Sequence, residues 1–274
     1  MTTLGSRSRR HLLIKRRFPA EVQSALDDFK RDFRTLSGRI RDRLADAVIA
    51  RDINPTGDIN AAVRRVLSND SGELRVVLQD GAEEGAEAGR RMASRRFGLE
   101  IDFEVVPEST LSELNGFVDD IHGDVLDTIG DGVSDTLADA FDRGLDRDAV
   151  ADLIQSELDN ELGDAAAQRH ARTLVQGASE RGNHSAIRGS TAVGERWIAT
   201  NDSRTRDTHN AAHGQIVPVD VPFRVGGAEL MHPGDPTGPI KEIANCRCTQ
   251  APVFPDELSE SELTTLRAGR RLNI

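Results

Sequence analysis

Two residue pairs near the C-terminal end of the chain have the types and spacing that bind metal ions. Cys246 and Cys248 are the only cysteines among 274 residues, and they lie two positions apart. On a strand, side chains with this spacing project from the same face. His209 and His213 lie four positions apart, so on a helix they share a face. Four nitrogen and sulfur ligands of this kind suit a structural, tetrahedral zinc ion, which would stabilise a small domain directly.

Other interpretations of these residues are open. His232 is a substitute ligand, because the 32 residues between His213 and Cys246 exceed the usual spacing of zinc fingers. The cysteines could instead be two small buried thiols. A disulfide between them is least favoured, since strand geometry puts their Cα atoms near the ~7 Å limit. A metalloprotease is excluded, because it needs His-Glu-x-x-His and the residue after His209 is Asn210.

The elements that position these groups begin with helices. Apolar residues at three- and four-residue steps predict helices over residues 19–49, 58–67, 73–96, 109–141 and 165–187. Asp146 or Asp148 is expected to cap a further short helix. Gly130 and Gly132 are expected to weaken or bend the longest helix. Residues 101–106 read as a short strand or an extended linker.

Helical periodicity ends at Gly194, and proline, glycine and short β-type runs follow. We predict strands at 197–199, 216–221 and 246–253. The predicted fold class is α+β, a mainly α-helical N-terminal body followed by a small α+β C-terminal module. The expected domains are a basic flexible arm at 1–18, the helical body at 19–144, the module at 145–254, and a tail at 255–274 that is an exposed helix or a disordered end.

The composition is strongly acidic and poor in lysine. A net charge of −11 arises from 28 Asp and 18 Glu against 32 Arg and 3 Lys. Such a surface suits high salt, which screens self-repulsion, so a halophilic host is one interpretation; a GC-rich genome that favours arginine codons is the other. No apolar run approaches the ~18 residues of a membrane span, and the run at 11–14 is too short for a signal peptide. We therefore expect assembly in a cytosol, with no membrane contact.

The N-terminal arm differs in charge from the rest of the chain. Residues 7–17 contain no acid and six cations: Arg7, Arg9, Arg10, Lys15, Arg16 and Arg17. This arm could bind an acidic partner or nucleic-acid phosphate, or it could be a solvated, disordered terminus. The acidic balance elsewhere argues against a plain DNA-binding protein.

The order of motifs in the C-terminal half resembles a known family. Trp197-Ile198-Ala199 is followed by "DSRTRDTH" at 202–209, Gly214, "HPGDP" at 232–236 and "NCRC" at 245–248. This order resembles the phage Mu F-like minor head protein family, also called the head morphogenesis family, over about residues 145–254. The segment 170–183 is similar to the family's Arg-Thr helix, although Leu174 stands where members often carry Glu.

The resemblance implies a minor capsid protein of a tailed virus, with a structural rather than a catalytic role. Its implied partners are the portal protein and the major capsid and other head proteins, with viral DNA as a further contact. Its implied location is the capsid interior near the portal, and the host cytoplasm during assembly. Combined with the acidic composition, this favours a tailed virus of a halophilic archaeon.

The motif residues have structural interpretations of their own. We expect Trp197 to anchor a core, Asp202 to pair with Arg206 at a helix start, Gly214 to end a helix and Asn245 to close a turn. The alternative function is a metal-dependent hydrolase or nuclease. It would use His209, His213, Cys246 and Cys248, with Asp207 or Asp235 as the nearby carboxylate.

Overall fold

The computed structural model describes residues 18–101 and 105–272, apart from the side chains at 157, 159 and 160. The basic arm therefore lies outside the described residues, as do three positions of the strand or linker predicted at 101–106. The chain forms two compact units. The first contains the described residues of 1–26, 82–113 and 172–274, and the second, here called the helical unit, contains 27–81 and 114–171.

Helices occupy the described chain up to residue 188. They are α1 Ala20–Ile49, α2 Ile59–Ser68, α3 Ser71–Phe97, α4 Glu108–Asp142, α5 Arg147–Glu157, α6 Asp159–Leu162 and α7 Asp164–Arg188. The predicted helices are confirmed, with ends that shift by one or two residues. Asp146 caps α5, because its side chain accepts a hydrogen bond from the Ala149 backbone N–H.

The core of the helical unit follows a four-residue repeat. On α4, the side chains of Val125, Ile129, Val133 and Leu137 are buried. Gly130 and Gly132, which were expected to weaken or bend this helix, do not interrupt it, since α4 runs as one helix from Glu108 to Asp142. Gly132 has a packing reason instead, because a Cβ there would lie only 2.6 Å from Cγ of Glu161. A glycine that makes room for a neighbouring side chain need not break its own helix.

Short strands appear after residue 193, as expected. They are β1 Gly194–Ile198, β2 Ile216–Pro218, β3 Phe223–Val225, β4 Ala228–Leu230 and β5 Thr249–Val253. The first sheet is antiparallel with the order β2-β1-β5, and β3 and β4 form a separate two-stranded hairpin. Three short helices accompany them: α8 Asp207–Ala212, α9 Ile240–Ile243 and α10 Glu260–Arg267. We call residues 194–272 the C-terminal lobe. The fold is α+β, which confirms the predicted class.

The hairpin β3–β4 was not predicted from the sequence. Its two strands have three residues each, which is too short for an alternation pattern to stand out. The signal was in the turn, where Gly226 and Gly227 both have positive φ angles, of 58° and 85°. A Gly-Gly pair between apolar residues is the sequence typical of a tight hairpin turn.

The tail forms an ordered helix within the described residues. Ser259 and Glu262 make a capping box at the start of α10. Leu266 then packs with Ile216 of β2 and Val253 of β5 in one buried cluster. The described tail thus contains a helix at Glu260–Arg267, as one of the two alternatives had it, but Leu263 and Leu266 of this helix are buried rather than exposed. Among the described helices, none combines the length and the apolar character that a membrane crossing needs.

Candidate metal centre

Three of the four predicted ligands come from two elements of the C-terminal lobe. His209 lies in α8, and Cys246 and Cys248 lie in the loop between α9 and β5. All three are buried, with exposed fractions of 1–2%. The strand predicted to begin at 246 begins at Thr249, so strand geometry does not pair the thiols. They converge because the loop folds back over α8.

The separations between the three groups fit one tetrahedral ion. Nδ1 of His209 lies 3.3 Å from Sγ of Cys248 and 3.7 Å from Sγ of Cys246. Zinc bond lengths of 2.0–2.3 Å put a nitrogen and a sulfur ligand about 3.6 Å apart on a tetrahedral ion. All three ligand atoms lie within 4.8 Å of one another. His209, Cys246 and Cys248 could therefore hold a metal through one nitrogen and two sulfurs.

The two thiols share one hydrogen bond, and this shifts their pKa values in opposite directions. The Cys248 thiol donates to the Cys246 sulfur, which lowers the pKa of Cys246; His209 adds to this effect while burial opposes it. The same bond, with burial, raises the pKa of Cys248. The Cys246 thiol, beside the His209 imidazole, is thus the one that loses its proton more easily. A thiolate is the form of cysteine that binds metals.

His213 is not part of this cluster. Helix α8 ends at Ala212, and His213 has non-helical backbone angles as the C-terminal cap residue. Because the helix stops between the two histidines, their four-residue spacing does not put both rings on one face. The His213 ring is exposed, and its Nδ1 accepts a hydrogen bond from the Ala199 N–H at 3.2 Å.

His232, the substitute ligand, also lies elsewhere. It is buried, with its ring centroid 6.2 Å from that of His184. Burial lowers the pKa of His232 to about 4. His184 in turn places Nδ1 2.9 Å from both carboxylate oxygens of the buried Glu195. His232 thus belongs to a separate buried polar group that the sequence did not suggest.

Glu242 supports the cluster from its far side. Its Oε2 lies 3.3 Å from Nε2 of His209, the ring nitrogen that faces away from the thiols. The Thr208 hydroxyl donates to the same oxygen at 2.9 Å. Histidines that bind metals commonly have a carboxylate at their other nitrogen, which fixes the ring and its tautomer. Gly226 leaves room for Glu242, because a Cβ there would lie 2.3 Å from Oε1.

Trp197 completes the surroundings of the imidazole. It is fully buried, as expected for a core anchor, and its ring meets the ring of His209 edge to face at 5.6 Å. Phe223 packs on Trp197 in the same way, at 5.3 Å. Aromatic pairs of this geometry add about 0.5–1.5 kcal/mol beyond the area they bury. The site is thus enclosed in the core of the lobe.

The expected pairing of Asp202 with Arg206 is wrong. Both Asp202 oxygens instead accept hydrogen bonds from the guanidinium of Arg247, each at 2.6 Å. This bond lowers the pKa of Asp202 far below its usual range. Arg206 donates to the carbonyl of Ala244. Arg206 is nearer to Asp202 in the sequence. The planar guanidinium of Arg247, however, can donate two parallel hydrogen bonds to one carboxylate.

Two further motif residues act through their backbone. Gly214 follows the end of α8 with a φ of +83°, the left-handed conformation that commonly ends a helix. Asn245 has a φ of +53°, a region that Asn tolerates better than most residues. Its N–H donates to the Thr173 hydroxyl at 3.3 Å. Both residues thus shape the chain next to the metal ligands.

Helix α7 holds the cysteine loop and β5 through buried amides. Gln176 donates to the Cys248 carbonyl at 3.2 Å, and Asn183 donates to the Gln250 carbonyl at 2.9 Å. Glu180, between them, accepts from the Gln250 N–H at 3.2 Å. Burial raises the pKa of Glu180 to about 8. Leu174 is also buried, so an apolar residue fits this position of the helix.

The second half of the chain matches a known protein family. Residues 131–251 match the family model described as Phage Mu protein F like protein. This stretch is a Mu F-like domain. Searches of curated proteins and of solved structures gave no match. The match begins 14 residues before the resemblance expected at 145–254, within the predicted helical body, and ends three residues before it.

The cluster of His209, Cys246 and Cys248 lies within the Mu F-like domain, as do Trp197, Asp202 and Arg247. Sequence reasoning missed Glu242, Thr208 and Glu180 around the cluster. Of these three, only Glu242 has a position in the sequence that indicates a link to the site, because it precedes Cys246 by four residues. Single acids and threonines are too common for that spacing to decide a role.

Proposed function

We propose that this protein is a minor head protein of a tailed virus that acts in head morphogenesis and associates with the portal. The observation that carries the proposal is the Mu F-like match over 131–251, which contains every signature motif in order. The partners are then the portal protein and the major capsid and other head proteins. The location is the interior of the head near the portal, after assembly in the host cytoplasm.

The test is the position of the protein in assembling particles. Heads and portals are purified by sedimentation from cells that produce the virus, and the protein is measured in each fraction by mass spectrometry. We expect it to co-sediment with heads, in far fewer copies than the major capsid protein. Recovery only in the free pool while heads assemble would refute the proposal.

The basic arm is proposed as the contact to DNA or to an acidic capsid surface, on the basis of its six cations and no acids. Deletion of residues 1–17 is the variant, and the full-length protein is the control. The slope of DNA affinity against salt should become shallower in the variant, because fewer counterions are released. An equal slope would remove the arm from the proposal. The halophilic host is a separate proposal that rests on composition alone.

The metal is proposed as a structural zinc ion that braces the Mu F-like domain, held by His209, Cys246 and Cys248. Burial supports a structural role, because a substrate needs access to a catalytic ion. The polar neighbours support it as well, since Glu242 lies 3.3 Å from Nε2 of His209 and Gln176 of α7 donates to the Cys248 carbonyl. A bound ion would add a cross-link between α8 and the cysteine loop.

The second candidate is a metal-dependent hydrolase or nuclease. The observation in its favour is that the cluster has three protein ligands, the number that catalytic zinc sites use beside a water. Its proposed carboxylates are not in the cluster, however. Asp235 uses its oxygens to hold Met231 and Thr237, and Asp207 is exposed. Metal-dependent cleavage of DNA by the purified protein, lost in Cys248→Ser, would favour this candidate over the structural one.

A further inference from the structure

Three arginines from separate parts of the Mu F-like domain meet beside the metal cluster. They are Arg172 at the middle of α7, Arg204 in the loop before α8, and Arg247 between the two cysteines; together we call them the arginine cluster. Arg204 and Arg247 share one carboxylate, since Asp202 lies 4.0 Å from Nη2 of Arg204 and bonds both Nη atoms of Arg247. Arg172 lies near enough to both for their charges to act on it, and the next residue of α7, Thr173, accepts a hydrogen bond from the N–H of Asn245, two positions before Arg247.

The arginine cluster has more positive than negative charge. Asp202 is the one carboxylate bonded to any of the three guanidinium groups among residues 18–101 and 105–272, and Arg247 takes both of its oxygens. Arg172 has no hydrogen bond or ion pair within that same described part of the chain. In a protein whose net charge is −11, a group of three arginines around one acid is an exception to the general composition.

Arg172 is the member that points to a ligand. Its Nε is buried and has no hydrogen-bond partner among the described residues. A buried donor without a partner costs free energy, so folds rarely keep one without a use. Burial, and then the charges of Arg204 and Arg247, lower the pKa of Arg172. An anion at this position would reduce the repulsion between the three cations and accept a hydrogen bond from Arg172.

The chemistry of the groups favours a phosphate. Guanidinium groups match the oxygens of phosphate with paired hydrogen bonds, and three such groups from different directions suit a tetrahedral anion better than a planar carboxylate. Arg247 is held in place by Asp202, and Arg204 is largely exposed, at 71% of its side chain. Arg247 is thus fixed, Arg172 is half-buried, and Arg204 is free to close over a ligand.

We propose that the arginine cluster of Arg172, Arg204 and Arg247 is a phosphate-binding site of the Mu F-like domain. The phosphate comes either from a nucleic-acid backbone or from the free ion. The site uses none of the six cations of residues 7–17, and it does not depend on the proposed role in head assembly. A protein that fails to join heads could still bind phosphate here, and the reverse also holds.

The test measures binding to the purified full-length protein. The variants are Arg172→Gln, Arg204→Gln and their combination. The matched control is Arg267→Gln in α10, an exposed arginine that loses the same charge outside the cluster. The probes are inorganic phosphate and a labelled 12-nucleotide strand, each titrated at several NaCl concentrations, with a glutamate-rich peptide as the carboxylate comparison. Tryptophan emission from Trp197 checks that each variant is folded.

We expect each single variant to weaken phosphate binding about tenfold, because each removes one charge-assisted contact. The control variant should bind as the original protein does. If nucleic acid is the source, the slope of log affinity against log salt should fall by about 0.7 for each arginine removed. If the free ion is the source, the variants should weaken the binding of inorganic phosphate and leave the binding of the nucleotide strand unchanged.

Three results would overturn the proposal. They are the absence of phosphate and strand binding in the original protein, equal effects of the cluster variants and Arg267→Gln, and binding of the acidic peptide in place of phosphate. Arg204→Gln keeps the test decisive if Arg172→Gln does not fold, since Arg204 is exposed.

Discussion

The helical unit and the C-terminal lobe are stabilised in different ways. In the helical unit the described core is apolar and repeats every three or four residues, and its ion pairs lie mostly at the surface, as between Arg75 and Asp119. Asp70 is its one buried charged side chain among the described residues. In the lobe, besides the two thiols, five acidic or histidine side chains are at most 4% exposed: Glu195, His209, His232, Asp235 and Glu242.

This difference follows from the length of the elements. A helix of 35 residues satisfies its own backbone and buries a continuous apolar stripe. Strands of three to five residues bury little area, so the lobe needs further interactions to fix its loops. Buried hydrogen bonds supply these, but they make the lobe sensitive to the loss of a single partner.

The largest expected effect is the loss of the metal. Cys246→Ser with Cys248→Ser should lower the free energy of unfolding of the lobe by several kcal/mol, because ligand binding stabilises only the folded site. Trp197 is the only tryptophan and contacts His209, so its emission reports the lobe. Circular dichroism at 222 nm reports mainly the helices.

The control is the original protein with and without a chelator, with its metal content measured. We expect the tryptophan transition to move to lower temperature in the variant and in the chelated protein alike. Folded protein that contains no metal and melts at the same temperature after chelation would leave the two cysteines as buried thiols.

In the helical unit the largest effect should come from the core. Leu137→Ala removes a fully buried side chain from α4 and should cost about 2–5 kcal/mol, as cavity-forming substitutions do. The measurement is urea unfolding followed at 222 nm. Gly116→Ala is the control in the same helix, because a Cβ there meets no atom within 4 Å. A loss below 1 kcal/mol for Leu137→Ala would contradict the view that the aliphatic repeat stabilises this unit.

A pH effect should appear where α7 contacts the lobe, since Glu180 of α7 accepts a hydrogen bond from the Gln250 N–H of β5. Glu180 keeps its proton in the folded protein up to a pKa of about 8, whereas the unfolded chain loses it near 4.5. Its contribution to stability is therefore complete below pH 4.5 and is lost as the pH rises towards 8, by about 1.4 kcal/mol per pH unit. Glu180→Gln should remove this slope. The measurement is urea unfolding at each pH, and the exposed Glu100→Gln is the control. Parallel curves for the original protein and Glu180→Gln would mean that Glu180 is ionised in the fold.

The smallest effect should come from a surface ion pair of the helical unit. Arg75 bonds Asp119 at 2.6 Å, and both side chains are more than 40% exposed. Arg75→Gln should change the free energy of unfolding by less than about 1 kcal/mol, and the difference should shrink in 1 M NaCl. A larger, salt-independent loss would show that the surface pairs stabilise this unit as strongly as its core.

Much of the fold could be predicted from the sequence, and less of the site. The helices were predictable because each repeats one apolar pattern over many residues, as in α4. The hairpin β3–β4 was missed because strands of three residues are too short to show an alternating apolar pattern. For the site, residue types identified Cys246, Cys248 and His209. The four-residue spacing of His209 and His213 gave a wrong prediction, because α8 ends before His213. The predicted partner of Asp202 was also wrong, since Asp202 pairs with Arg247, 45 positions away, and not with Arg206, four positions away.

The sequence by itself determined the α+β class, the ordered motifs of a Mu F-like domain and the residue types of the candidate metal cluster. These depend on local periodicity and on side-chain chemistry, which the chain carries wherever it folds. Only the tertiary structure decided that three ligands converge and His213 does not, that Glu242 stands behind His209, and that Arg172, Arg204 and Arg247 meet. Those depend on where loops and helix ends bring distant residues together, and local sequence does not encode such distances.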